Sequence, residues 1–352
     1  MSAKRVRVLV VEDSPVVRQL LVHLLETDPE LEVVGTARDG REAVDAVQRL
    51  RPDVVTMDVL MPGMDGLDAT RRILETNPVP IVIVSGTVNP KEVSTTFEVL
   101  KTGAVAAIQR PAGPGSADHQ RSAQELLRTV KLMSEVRVVR RWPRREHPHE
   151  ASPLRRELRE QPLAVGIGAS TGGPDALENI LRRLPRSFPV PVLVVQHIAA
   201  GFHAGLAEWL GRTSSLPVAL ARDGEKAEGG RVYIAPHDTH MGLSREQRIV
   251  LTRGPVEKGV RPAVGYLFRS LLASCGARSV AVLLTGMGED GAAELRDLRS
   301  AGAATIVQDR ESCVVYGMPG AAVREGGAAF EAPPQRIARI ICNQVHCEGG
   351  EE

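Results

Sequence analysis

The chain is short of several things, and each shortage removes a class of protein. No apolar run approaches the roughly 20 residues that a membrane-spanning helix needs, so direct insertion into a bilayer is not expected. Cysteine is scarce. Cys275, Cys313, Cys342 and Cys347 are scattered through 352 residues, which argues against a disulfide framework and for a reducing, cytoplasmic setting. Cys342-x-x-x-His346-Cys347 lacks the second ligand pair that a structural metal site requires. An excess of one charge is also missing. The net charge is +1, so no global field directs the protein to nucleic acid or to an anionic surface. Met1 to Arg7 leads directly into a strand-like run, and no signal peptide is expected.

What is present is the composition of a soluble globular protein, 43% hydrophobic and 25% charged, with length for two domains. In the first half, strand-like runs at Arg5–Val11, Leu31–Ala37, Asp53–Asp58, Val79–Ser85 and Gly103–Gln109 alternate with helix-like segments. Those segments are Pro15–Leu25, Arg41–Leu50, Lys91–Leu100 and Ser122–Val136. The alternation predicts a doubly wound parallel sheet. From Val136 to Gln161 the sequence turns arginine-rich, with His147, Pro148, His149 and Pro153, and loses apolar periodicity. It reads as a basic linker with a solvated face, part of which continues the preceding helix.

The second half alternates again. Strand-like runs lie at Leu163–Ala169, Val190–Gln196, Ala281–Leu284 and Ala303–Val307, and helix-like segments at Asp175–Leu184, Leu206–Gly211, Pro262–Ala273 and Ala292–Ala301. Arg231–Ala235 and Arg248–Thr252 suggest an inserted β hairpin. The expected fold is therefore α/β, with two doubly wound parallel-sheet domains: a flavodoxin-like domain over 1–130, a linker over 131–161, a Rossmann-like domain over 162–347 and a tail over 348–352. In such sheets, functional groups gather at the carboxyl ends of the strands.

Two constellations fall there. Glu12 and Asp13 follow the first strand and Asp58 ends the third. Three crowded carboxylates favour a hard divalent cation such as Mg²⁺. The Asp58 carboxylate could then act as nucleophile toward a phosphoryl donor, with Ser85 and Arg110 supporting that group from the ends of the fourth and fifth strands. The plain alternative is a set of strand-end residues facing water. In the second half, Ser170 sits on the turn of Gly168-Ala169-Ser170-Thr171-Gly172-Gly173. His197 follows the next strand, and Asp290 follows a later one within Thr285-Gly286-Met287-Gly288-Glu289-Asp290-Gly291. A serine nucleophile needs a base and an orienting acid, and this set supplies both, with Glu289 competing for the acid role. An order with the acid before the histidine would use Asp223 and His237 or His240 instead. A dinucleotide fingerprint fits poorly: the glycine spacing is wrong, and the second strand ends in Gln196-His197 where an acid is required.

Val10-Val11-Glu12-Asp13-Ser14-Pro15 and Met57-Asp58-Val59-Leu60-Met61-Pro62-Gly63-Met64-Asp65-Gly66 resemble the response-regulator receiver family over about residues 5–130. The resemblance implies phosphorylation of Asp58 by a histidine kinase, with Mg²⁺ held by Glu12, Asp13 and Asp58. Arg110 stands where the family usually has lysine, and Ala107 where it usually has an aromatic switch residue. The turn around Ser170, Gln196-His197, Tyr233-Ile234-Ala235-Pro236, Leu284 through Ala292, and Ser312 through Pro319 resemble the chemotaxis protein-glutamate methylesterase family. That resemblance implies Ser170, His197 and Asp290 as triad, Thr171 beside the nucleophile, and the Met287 N–H as oxyanion donor. Its implied substrates are γ-glutamyl methyl esters on chemoreceptors, with deamidation of receptor glutamines as a related activity. It also implies that the unphosphorylated receiver covers the catalytic cleft. A non-catalytic binding module, or a receiver that only docks, are the competing readings.

Overall fold

The computed structural model describes residues 5–86, 90–136 and 161–347, with backbone alone for 90–94. The chain divides into two compact units, 1–149 and 150–352. Most of the expected linker and all of the 348–352 tail lie outside the described residues.

The first unit runs β1 (Val6–Val11), α1 (Pro15–Glu26), β2 (Leu31–Ala37), α2 (Gly40–Leu50), β3 (Val54–Met57), α3 (Gly66–Thr76), β4 (Ile81–Ser85), α4 (Pro90–Thr102), β5 (Ala106–Gln109) and α5 (His119–Ser134). The sheet order is β2-β1-β3-β4-β5 with parallel pairings, as the alternation predicts. β3 and β4 are buried at every position, as expected for central strands covered on both faces. Asp39 caps α2 by accepting from the amides of Arg41 and Glu42, and Asp65 caps α3 by accepting from Asp68. Gly66 is required by space: a Cβ there would stand 2.2 Å from the carbonyl oxygen of Asp58. The turn after β3 therefore folds tightly over the aspartate. Helix α5 extends to Ser134, four residues past the expected end of the domain.

The second unit runs β6 (Ala164–Ala169), α6 (Gly173–Leu181), β7 (Val192–Gln196), α7 (His203–Thr213), β8 (Val218–Leu220), β9 (Val232–Ile234), β10 (His240–Leu243), β11 (Ile249–Thr252), α8 (Val264–Ser274), β12 (Ser279–Leu283), α9 (Ala292–Ser300), β13 (Ala304–Gln308), α10 (Met318–Arg324), β14 (Phe330–Ala332) and α11 (Pro334–Gln344). Seven strands form one parallel sheet in the order β14-β13-β12-β6-β7-β9-β8. The expected pairing of Arg231–Ala235 with Arg248–Thr252 is corrected here. Val232–Ile234 is an interior strand of the parallel sheet, and the hairpin is formed by β10 and β11. Short alternating runs give no indication of which partner they will choose, because strand pairing is a long-range choice. The core gathers Leu267, Phe268 and Leu271 of α8 with Leu193, Tyr233 and Leu283 from the sheet and its neighbours. Gly166 and Gly168 in β6 make room for α8: a Cβ on either would approach Leu271 Cδ1 to 2.4 Å or Val264 Cγ1 to 2.3 Å.

Candidate active site and phosphorylation site

In the first unit, Glu12, Asp13 and Asp58 converge at the carboxyl edge of the sheet, with one ligand oxygen from each lying within 4.8 Å of the others. The Asp58 amide donates to Val11 O at 2.9 Å, which ties the end of β3 to the end of β1. Glu12 is fully buried and Asp58 nearly so, whereas Asp13 is exposed. Arg110 Nη2 lies 3.3 Å from Asp58 Oδ1 and 3.5 Å from Glu12 Oε2. Burial and the neighbouring Asp58 charge push the Glu12 carboxyl up to about 7, against the opposing pull of Arg110. Glu12 Oε2 is buried and makes no hydrogen bond. A crowded carboxylate set with an orphaned oxygen and one cation beside it fits a divalent metal ion, the ligand that receiver domains take at this position. Ser85 lies at the end of β4, buried, within 3.3 Å of Thr96 Oγ1 and of Gly86 O. Ala107 is buried in β5.

In the second unit, β6 delivers Ser170 and the adjacent strand β7 delivers His197. The His197 amide donates to Ala169 O at 2.9 Å, and the Ser170 amide donates to Thr285 O at 3.0 Å. Ser170 thus sits between the turn after β7 and the turn after β12. Gly286 backs directly onto it, since a Cβ on Gly286 would stand 2.6 Å from Ser170 Cβ. Gly172 adopts φ +79 at the N-cap of α6, the left-handed conformation that lets the chain reverse sharply after Ser170. Thr285 Oγ1 donates to Thr171 O at 2.9 Å and accepts from the Val315 amide at 3.0 Å. Gln308, at the end of β13, accepts from the Thr285 amide and donates to Ser312 O at 3.0 Å. The Met287 turn is therefore braced from both sides.

Asp290 is buried, and its Oδ2 lies 3.0 Å from His197 Nε2. Nε2 faces that oxygen at close range without meeting hydrogen-bond geometry. Asp290 does not cap the helix that follows it. Its Oδ2 accepts from Val264 N at 2.6 Å and its Oδ1 from Gly265 N at 3.0 Å, the first amides of α8. Burial opposes its charge, but the His197 contact and the two α8 amides outweigh burial and hold the carboxyl below its usual range. With Nε2 turned to Asp290, Nδ1 is the ring nitrogen that faces away from the carboxylate.

The competing residues have other partners. Glu289 is two-thirds exposed beside Lys258. Asp223 accepts from the Leu251 amide. His240 is stacked on Tyr266, its Nδ1 taking the Ala263 amide and its Nε2 standing 2.9 Å from Pro255 O. Sequence reasoning missed His203, which is buried beside His237 with neither ring nitrogen partnered. Burial and the charges of His237 and His197 push it down to about 4, so it is neutral near pH 7. Sequence reasoning gave no role to Gln196, which it met only as the neighbour of His197 in a motif, and it missed Gln308, whose signal was only its place at a strand end.

The fold and its two strand-end sites fit a response regulator whose second, parallel-sheet domain is an ester hydrolase. Residues 8–118 match the response regulator receiver domain, and residues 165–341 match CheB methylesterase. The chain is 53% identical to protein-glutamate methylesterase/protein-glutamine glutaminase 4 of Geobacter metallireducens, over 96% of this chain and 98% of that one. It is 50% identical to the Nitrosospira multiformis protein of the same name, over 98% of each. The Thermotoga maritima CheB methylesterase catalytic domain superposes with a TM-score of 0.50 at 39% identity, over 52% of this chain and 98% of that one. The chain belongs to the CheB methylesterase family. No helix among the described residues is long and apolar enough to cross a membrane.

Proposed function

We propose that this chain is a cytoplasmic, phosphorylation-controlled methylesterase that hydrolyses γ-glutamyl methyl esters on chemoreceptors and deamidates receptor glutamines by the same acyl chemistry. The observation that carries the reading is the meeting of Ser170, the His197–Asp290 pair and the Met287 turn at one sheet edge. His197 Nδ1 takes the proton of Ser170 Oγ as that oxygen attacks the ester carbonyl. The carbonyl electrons move to oxygen, and the Met287 N–H, with Thr171 beside the nucleophile, faces the resulting oxyanion. One such donor commonly lowers the barrier by about 3 kcal/mol. Collapse expels methoxide, which leaves as methanol with the proton from His197. Water then attacks the acyl-serine with His197 again as base, releasing glutamate. From a glutamine side chain the same steps release ammonia. Asp290 stabilises the imidazolium in each half.

In the receiver, the proposed nucleophile is Asp58, which takes a phosphoryl group from a histidine kinase of the chemosensory pathway. Glu12, Asp13 and Asp58 would hold Mg²⁺, which when bound neutralises charge between the aspartate and the donor. Ser85 and Arg110 support the phosphoryl oxygens. Arg110 keeps the cation that the family usually places on lysine, but as a planar fork. The proposed organisation is a receiver over 1–130, a basic linker over 131–161 and a catalytic domain over 162–347. The partners are the kinase and methylated receptors, with no role for nucleic acid.

The test is methanol release from methylated receptor. Wild type should release methanol, faster with a small phosphodonor and Mg²⁺, and Ser170→Ala should release none while remaining folded. Turnover by that variant would remove Ser170 from the mechanism.

A further inference from the structure

The mechanism leaves one buried amide at the centre of the catalytic unit without a role. Gln196 is the last residue of β7, is 1% exposed, and directly precedes His197. Its Nε2 donates to Ser170 O at 2.7 Å and to His197 O at 2.8 Å. Both acceptors are carbonyl oxygens, which take only donors, so the orientation of this amide is dictated by its partners.

We propose that Gln196 is a positioning residue that sets the separation of nucleophile and base, an inference that rests on the Ser170–His197 reading above. One NH₂ group spans the main chains of the two residues that must exchange a proton. The main chain does this only in part: the β6–β7 register stops at the Ala169–Gln196 pair, and beyond it the His197 amide reaches Ala169 O rather than Ser170. Beyond the ladder, Ser170 is held by its amide on Thr285 O, and its carbonyl takes the Gly173 amide at 2.8 Å as well as Gln196. Removing Gln196 leaves the nucleophile tied to α6 and to the Met287 turn, but no longer tied by this amide to the turn that carries the base.

The surroundings are shaped to the amide. A Cβ on Gly173 would stand 2.0 Å from Gln196 Oε1, so any larger residue there would push the side chain off its two carbonyls. Oε1 itself is buried and makes no hydrogen bond. Methionine would fill the volume without a donor. Glutamate would match the shape but cannot give both carbonyls an N–H: protonated it offers a single O–H, and ionised it offers only acceptors. The two roles therefore differ in their expectation for Gln196→Glu: a role in packing alone leaves it like wild type, and a positioning role does not, because neither variant can donate to both carbonyls.

The experiment uses the full chain and a fluorophosphonate probe, whose rate of attachment to Ser170 reports activation of the serine without receptor. Gln196→Met should label about tenfold to hundredfold more slowly than wild type, the scale of loss that a misplacement of about 1 Å produces. Gln196→Glu should also label more slowly than wild type. With methylated receptor as substrate, the loss should fall on kcat with KM within about twofold. Thermal melting identifies the folded variants. If neither variant folds, side-chain amide hydrogen exchange of wild type decides, with the Gln196 protons expected to be protected about tenfold or more over exposed glutamines. Equal labelling of Gln196→Glu and wild type, or unprotected Gln196 protons, overturns the proposal. A wild type that fails to label overturns the parent reading and this inference with it.

Discussion

Asp290→Asn isolates what the acid contributes, because the change is nearly isosteric and its surroundings are fully specified. Three donors converge on the two carboxylate oxygens: Val264 N and His197 Nε2 on Oδ2, and Gly265 N on Oδ1. Asparagine has one acceptor. With its oxygen in the Oδ2 place it keeps Val264 and His197 but turns its NH₂ against the Gly265 amide. With the oxygen in the Oδ1 place, the NH₂ faces both Val264 N and the imidazole, which forces the proton onto Nδ1 and removes the base. The first arrangement strands one buried donor at a cost of about 1–3 kcal/mol. Even that arrangement loses the charge facing the imidazolium. At the 3.0 Å separation, an effective dielectric near 20 makes that attraction about 5 kcal/mol. The expected result is a fall in kcat of about 10³- to 10⁴-fold, the scale of losing the orienting carboxylate in serine hydrolases generally.

The assay is methanol release beside fluorophosphonate labelling, with melting to confirm the fold. Acid titration adds a second readout. The Asp290 carboxyl is held below its ordinary pKa, so its stabilisation is fully present above the unfolded value of about 3.9 and is lost as pH falls through the lowered folded value. The stability gap between wild type and Asp290→Asn should shrink as pH falls below about 4. Activity of Asp290→Asn within tenfold of wild type at neutral pH would mean that His197 does not depend on this carboxylate, and the triad assignment would fall.

Two further outcomes follow. Gly172→Ala combines a left-handed φ of +79 with a Cβ only 2.5 Å from Val314 Cγ2, so it should destabilise the second unit by about 2–4 kcal/mol, seen as a melting transition lowered by roughly 5–15 °C. An unchanged transition would show that the turn accommodates a side chain. Asp58→Asn should abolish phosphoryl incorporation from a small phosphodonor with Mg²⁺, and with it the donor's stimulation of methanol release. Stimulation that persists would place the receiver outside the control of the enzyme.

The parallel sheets and the strand ends that carry the candidate residues were legible because both depend on local order. A short apolar run that ends in a turn announces a strand end; Glu12, Asp58, Ser170 and His197 directly follow such ends, and Asp290 lies in the longer turn after β12. Pairing over distance was not legible. Val232–Ile234 enters the parallel sheet between β7 and β8, and its three residues carry no mark of that choice. The short β8 and β14 went unnoticed for the same reason, as did α10 and α11. Side-chain orientation was equally hidden. The sequence brings Asp290 to the edge but does not reveal that it takes two amides of α8, or that it meets Nε2 of His197. A buried glutamine likewise shows its hydrogen bonds only when its neighbours are in place.

Val264 has a consequence that reaches beyond this one chain. Its amide holds Asp290, and its side chain fills the space that glycine leaves at two other positions: a Cβ on Gly168 would stand 2.3 Å from Val264 Cγ1, and one on Gly291 would stand 2.5 Å from the same atom. Positions 168, 264 and 291 come from three separate stretches of chain yet share one small volume. Among descendants of a common ancestor they should drift as a trio, with a smaller residue at 264 appearing before any side chain at 168. At 291 the φ of +84 adds a second reason to keep glycine. A laboratory library randomised at all three positions and selected for labelling of Ser170 should recover valine at 264 together with glycine at 168 far more often than independent choices would allow.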